Sequence, residues 1–140
     1  MISAPKATVL VADENVFFRR LAAYQLTKAG YHVVSAENSQ QALEWLQNDQ
    51  IKPDLLLLDL FLPDSGGLEM MAQIKALGYR LPVVLMSTSE EPIILQGLSQ
   101  ADLFLKKPFS GVQLLASVKS LLLCVQSVQR LDGLLSQIRL

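Results

Sequence analysis

Four short stretches of this chain put reactive side chains directly behind runs of apolar residues. Asp13 and Glu14 follow "TVLVA", Asp59 ends "PDLLLLD", Ser87 and Thr88 close "PVVLMST", and Lys106, Lys107, Pro108 and Phe109 end "LFLKKPF". Gathered in one place they would supply three carboxylates, hydroxyls and a cation. Two carboxylates about 4 Å apart repel by about 4 kcal/mol at an effective dielectric of about 20, whereas a helix amino terminus returns only about 0.3–1 kcal/mol. Helix dipoles cannot settle such a group, so a divalent cation, Lys107 or a raised pKa must. Hard oxygen ligands with open positions suit magnesium, which keeps waters and often shares a phosphate oxygen.

The elements that must position these residues are legible from periodicity. Thr8 to Ala12, Asp54 to Leu58 and Pro82 to Ser87 are near-continuously apolar, as strands covered on both faces require. His32 to Ala36 and Asp102 to Lys106 complete a set of five. Helical patterns lie between them. Asn15 to Ala29 carries Phe17, Leu21, Tyr24 and Leu26, with Gly30 at its end. Ser39 to Asn48 opens on a serine suited to capping, and Gly67 to Leu77 stops at Gly78. A short helix over 91–98 and another from Gly111 complete the alternation. Strand and helix alternate throughout, which predicts an α/β fold: an open, doubly wound parallel sheet with helices on both faces. In such sheets ligands bind beyond the carboxyl ends of the strands, where the four reactive stretches fall.

With those residues in place, the chain resembles the response regulator receiver domain of bacterial two-component signalling, the chemotaxis-regulator-like group. The resemblance covers about residues 7 to 120. It rests on four motifs in order: the acidic pair in "VLVADEN", the aspartate in "PDLLLLDLFLPDSGG", the hydroxyl in "LPVVLMSTS" and the lysine in "FLKKPF". It implies a flavodoxin-like (βα)5 fold with strand order 2-1-3-4-5. Asp59 would be the phosphoacceptor, taking a phosphoryl group from a kinase phosphohistidine. Asp13, Asp59 and the backbone carbonyl of Phe61 would hold Mg2+, with Glu14 acting through water. Lys107 would pair with phosphoryl oxygens, and its bond to Pro108 would be cis. Ser87 would close over the phosphoryl group, and Phe104 would swing inward behind it. The output would pass through the fourth strand, the segment after it and the fifth strand. Partners would be a sensor histidine kinase or phosphotransfer protein and a downstream effector or fused output domain. Such a protein is a signalling domain, with self-phosphorylation and self-dephosphorylation as its own limited chemistry.

Some positions depart from the family's habit. Ser87 stands where threonine is commoner, Glu14 where aspartate is, and Gln100 where a glycine usually is; the segment carrying Pro92 also looks short. Phe61 and Ser89 flank the site and offer little help to an attacking water, which predicts slow self-dephosphorylation. Taken singly, the residues have plainer readings. Asp13 and Glu14 can also cap the first helix, Lys107 can be a solvated lysine, and Phe104 can be packing. His32 reads as structural or exposed, Trp45 as core and Cys124 as a small apolar packing residue. A haloacid-dehalogenase-type phosphatase would need a second aspartate where Phe61 stands. A flavodoxin would need a phosphate loop that "DENVFFRR" is not. A receiver-like module independent of phosphate is the serious competitor.

Bulk properties fit this frame. The 140 residues predict one receiver domain at 7–120, a loose tail at 1–6 and an extension at 121–140. A net charge of −1 gives nothing to favour nucleic acid or an anionic membrane surface. The single cysteine excludes an intramolecular disulfide and suits a reducing cytosol. Uncharged stretches such as Pro108 to Val118 are too short to span a bilayer, so a soluble cytoplasmic protein is expected. Charged residues are only 18% against about 25% in ordinary domains, which points to surface covered by a partner. Leu121, Cys124, Val128, Leu131, Leu135 and Ile138 follow the three-four spacing of a coiled-coil seam, which predicts a dimerising or partner-docking helix. The alternative is a break at Asp132-Gly133 with a folded-back tail.

Overall fold

A computed structural model describes residues 7–88 and 101–138. Five parallel strands, β1 (Thr8–Ala12), β2 (His32–Ala36), β3 (Leu55–Asp59), β4 (Val83–Ser87) and β5 (Leu103–Lys106), pair in the order β2-β1-β3-β4-β5. The described helices are α1 (Val16–Lys28), α2 (Ser39–Leu46), α3 (Gly66–Ala76) and α4 (Gly111–Ile138). The helix expected over 91–98, with Ser89, Pro92 and Gln100, lies outside the described residues, as does the tail at 1–6.

The strands read as apolar runs because both faces of the sheet are covered. Leu56, Leu58, Leu10 and Leu85 face α2 and α3 on one side. Val9, Val11, Leu55, Leu57 and Met86 face α1 and α4 on the other. All four leucines of β3 are fully buried, each contributing about 1.5–3 kcal/mol relative to exposure. That strand is held by burial on both faces, and Asp59 is its last residue.

Helix ends differ from expectation in instructive ways. Asn15, not the acidic pair, caps α1, its side-chain oxygen accepting from the Phe17 and Phe18 amides at 2.9 and 3.1 Å. Asn38 rather than Ser39 caps α2, accepting from the Gln41 amide at 2.8 Å. The buried face of α1 is Ala22 and Leu26; Phe17, Leu21 and Tyr24 look outward, Phe17 with two-thirds of its surface exposed at 66%. Trp45 is half-buried and donates its indole N–H to the Ser35 carbonyl at 2.9 Å.

Helix α4 runs unbroken for 28 residues, about 42 Å at 1.5 Å per residue. No break occurs at Asp132-Gly133, and the folded-back tail is excluded for the described residues. Leu114, Val118 and Leu121 pack on the sheet; beyond them the helix outruns it. Cys124 is exposed rather than packed. By length and hydropathy alone α4 could cross a membrane, contrary to the reading from uncharged stretches, since its first three turns contain only Lys119. Those turns are already committed to the sheet.

Candidate functional site

The strand order reverses between β1 and β3: the chain leaves β1 for β2 on one side and later leaves β3 for β4 on the other. The crevice beyond their carboxyl ends is where a ligand meets backbone ends rather than a covered face. Asp13 leaves β1 there and Asp59 ends β3. Asp59 is level with Met86 of β4, so Ser87 stands one residue further on the neighbouring strand. Ser87 is level with Lys106 of β5, and its carbonyl accepts from the Lys107 amide at 2.8 Å. The sheet register alone therefore brings four of the sequence candidates to one edge.

Lys107 organises the acids. Its ammonium lies 2.5 Å from Asp13 Oδ2 and 3.6 Å from Asp59 Oδ2. Asp13 and Lys107 are buried, whereas Asp59 keeps part of its side chain in solvent. Burial pushes the Asp59 carboxyl up, Lys107 pulls it down, and the Asp13 carboxylate pushes it up again; the net is a pKa above its ordinary value. One lysine thus does not fully balance the acids. The Lys107–Pro108 peptide bond is cis, as expected.

Several residues that sequence reasoning passed over hold this arrangement. Asn15 donates its amide to Asp13 Oδ1 at 2.9 Å. Arg19 reaches back from α1 to the Asp13 carbonyl at 2.7 Å and pairs with Glu37 at 3.4 Å, bracing the acidic loop. Phe18 places its ring 4.5 Å from the Lys107 ammonium, a cation–π contact that replaces hydration lost on burial. Gly67 admits the start of α3: a Cβ there would stand 2.8 Å from the Asp59 carbonyl oxygen. Asp64 accepts from the Ser39 amide and hydroxyl at 2.9 and 2.7 Å and from the Gln40 amide at 3.1 Å. That ties the loop after β3 to the amino end of α2. Only Gly67 and Asn15 carry a sequence signal, as turn and cap formers; an arginine six residues after an aspartate carries none.

The remaining candidates sit at the margins. Glu14 is exposed beside the pocket, its carbonyl accepting from Arg19 at 3.3 Å. Phe61 is exposed, and its amide donates to Asp59 Oδ1 at 3.2 Å. Phe104 is half-buried on β5, packed against the α2–α3 side of the core. Among the described residues no cluster of three His, Cys, Asp or Glu could hold a metal. The site instead brings together the carboxylates of Asp13 and Asp59, both facing the Lys107 ammonium. Magnesium commonly takes one or two protein carboxylates and completes its shell with water, so this donor set fits it.

The model of the response regulator receiver domain family matches residues 9–119. The chain belongs to that family. This receiver domain is 37% identical over 119 residues to the phosphate regulon transcriptional regulatory protein PhoB of Pseudomonas aeruginosa, covering 82% of this chain and 51% of that one. It spans about half the length of the curated relatives it matches. Among solved structures, NtrX from Brucella abortus is 29% identical with a TM-score of 0.77, over 98% of this chain and 30% of that one. The chemotaxis protein CheY4 of Vibrio cholerae is 25% identical with a TM-score of 0.72, over 82% and 98%. The receiver fold, strand order and α4 at its end are thus those the sequence implied.

Proposed function

We propose that this receiver domain accepts a phosphoryl group on Asp59 from a phosphohistidine, in a Mg2+-dependent reaction, and signals by changed contacts with other proteins. A carboxylate oxygen of Asp59 forms the new bond to phosphorus. The phosphorus–nitrogen bond breaks, and the imidazole leaves with that electron pair. The observation that carries this reading is the placement of Asp59: part-exposed at the end of a strand of four fully buried leucines, 3.6 Å from a buried ammonium. The Phe61 amide on Oδ1 orients the carboxylate, and Lys107 is positioned to meet incoming phosphoryl oxygens. Asp13, Asp59 and the Phe61 carbonyl would hold Mg2+, with Glu14 reaching it through water. When bound, Mg2+ supplies positive charge to the acids and to the phosphoryl oxygens.

Ser87 is buried beside this edge and would turn its hydroxyl towards the phosphoryl group, with Phe104 following inward. The face made by β4, the segment after it and β5 would carry the change to a downstream effector or a fused output domain. The unit doing so is residues 7–120, with 121–140 as an extension, working in the cytoplasm. It turns over no external substrate, and the exposed Phe61 leaves attacking water little help, so dephosphorylation is slow. A donor protein would dock on the outward stripe of α1, where Phe17, Leu21 and Tyr24 repeat at i, i+4 and i+7 beside the pocket.

Acetyl phosphate and MgCl2, followed by intact mass, test this. A gain of about 80 daltons that disappears in Asp59→Asn is expected. No adduct with any donor, or one that persists in Asp59→Asn, would overturn phosphotransfer and favour a phosphate-independent module. A half-life of seconds would defeat the slow-decay reading.

A further inference from the structure

The described part of α4 beyond the sheet, residues 122–138, has an apolar face that its own domain does not use. At about 100° per residue, Cys124, Val128, Leu131, Leu135 and Ile138 fall in an arc of about 80°. The residues turned to the sheet and the edge beneath it, Leu114, Val118, Leu121 and Val125, centre about a quarter-turn away. The two faces are therefore separate. Val128, Leu131, Leu135 and Ile138 each expose more than half their surface, while Gln126, Gln129, Arg130 and Gln137 lie outside the arc. Leu123 is exposed too, but about 100° from the centre of that arc.

We propose that this segment pairs with the same segment of a second copy, parallel and in register, as a two-stranded coiled coil. Four-three spacing held over five free positions is the spacing that keeps facing another helix, and an identical copy supplies it in matching register. Val128 and Leu131 occupy successive a and d positions as a β-branched residue followed by leucine, the order that favours two strands, while Leu135 and Ile138 at the tip reverse it. Five such residues bury roughly 500 Å² per copy, or about 1,000 Å² in all, the least a specific interface buries. A bilayer is a poorer occupant, because Arg130 and Asp132 fall in the middle of residues 122–138. Antiparallel pairing would press each helix tip against the underside of the other domain, where Arg80 and Lys119 stand. The parallel arrangement leaves that underside open. None of this depends on phosphoryl transfer.

Cys124, the sole cysteine, reports the register. In a parallel seam its two copies face each other with α-carbons about 6 Å apart, within disulfide range. Sedimentation of the unphosphorylated chain should give twice the chain mass. Diamide, accepting two electrons and two protons, should join the copies through one disulfide, which Cys124→Ser abolishes without dissolving the dimer. Leu131→Lys should weaken dimerisation at least tenfold with an unchanged circular dichroism spectrum, and Leu123→Lys should not. A monomer at all concentrations, or a dimer indifferent to Leu131→Lys, would overturn the proposal. A dimer that never links through Cys124 would overturn the parallel register.

Discussion

Asp13 and Lys107 stand 94 positions apart in the chain and meet as a buried ion pair at 2.5 Å. β1 delivers one and β5 the other, with two strands between them in the sheet. Removing Lys107 leaves the Asp13 carboxylate buried without a countercharge, whereas removing Asp13 leaves Lys107 only the more distant Asp59.

Lys107→Met should therefore cost about 3–5 kcal/mol, the typical penalty of breaking a buried pair from one side. Thermal denaturation in EDTA reads it. Added Mg2+ should recover more stability in this variant than in the parent, because the acids then have only the metal to neutralise them.

Asp59→Asn should stabilise the protein at neutral pH. Burial and Asp13 hold the Asp59 carboxyl above its ordinary pKa, so the folded state binds its proton more tightly than the unfolded chain does. That contribution is fully present below the unfolded value of about 4 and is lost as pH rises through the elevated folded value. The parent should melt below Asp59→Asn at pH 7, and the gap should close below about pH 4. A parent that melts higher at pH 7 would mean that the Lys107 attraction outweighs burial.

Asp64 has the opposite sign. Burial is the largest single influence and raises its carboxyl, but the Ser39 hydroxyl and amide, with the Gln40 and Ser65 amides, together outweigh it and hold the pKa well below the carboxylate range. Its contribution is present above the unfolded value and fades as pH falls towards the depressed one. Asp64→Ala should cost about 1 kcal/mol at pH 7, as loss of a helix-capping side chain does. The cost should shrink in strong acid, as denaturation curves at two pH values would show.

Gly67→Ala should destabilise by about 1–3 kcal/mol, the usual toll of overpacking. The added methyl meets the Asp59 carbonyl and Leu60 backbone at 2.8 Å, neither of which can rotate away. Because the clash lies on the backbone of the phosphoacceptor, acetyl phosphate labelling should slow as well. Labelling at the parental rate in a folded Gly67→Ala would show that the strand end yields elsewhere.

Phe17→Lys should slow phosphorylation by a histidine-bearing donor protein by about tenfold, about 1.4 kcal/mol. Acetyl phosphate should still label it at the parental rate, since Phe17 is exposed and outside the acidic pocket. Equal slowing with both donors would assign Phe17 to the site rather than to docking.

The sequence by itself determined the alternation of elements, the strand ends and the residues at them. Burial on both faces forces a parallel strand to be continuously apolar, and a carboxylate at its tip then stands out against four leucines. It also determined the unbroken three-four spacing of α4. Tertiary structure decided what depends on which faces meet. In α1 the sheet takes Ala22 and Leu26, because a small residue lets the helix approach closely, and turns Phe17, Leu21 and Tyr24 outward. The bracing by Arg19, the ring of Phe18 over Lys107 and the tie from Asp64 to α2 likewise join residues from different elements. Their spacing along the chain carries no signal, because those distances are set by crossovers and register rather than by neighbouring residues.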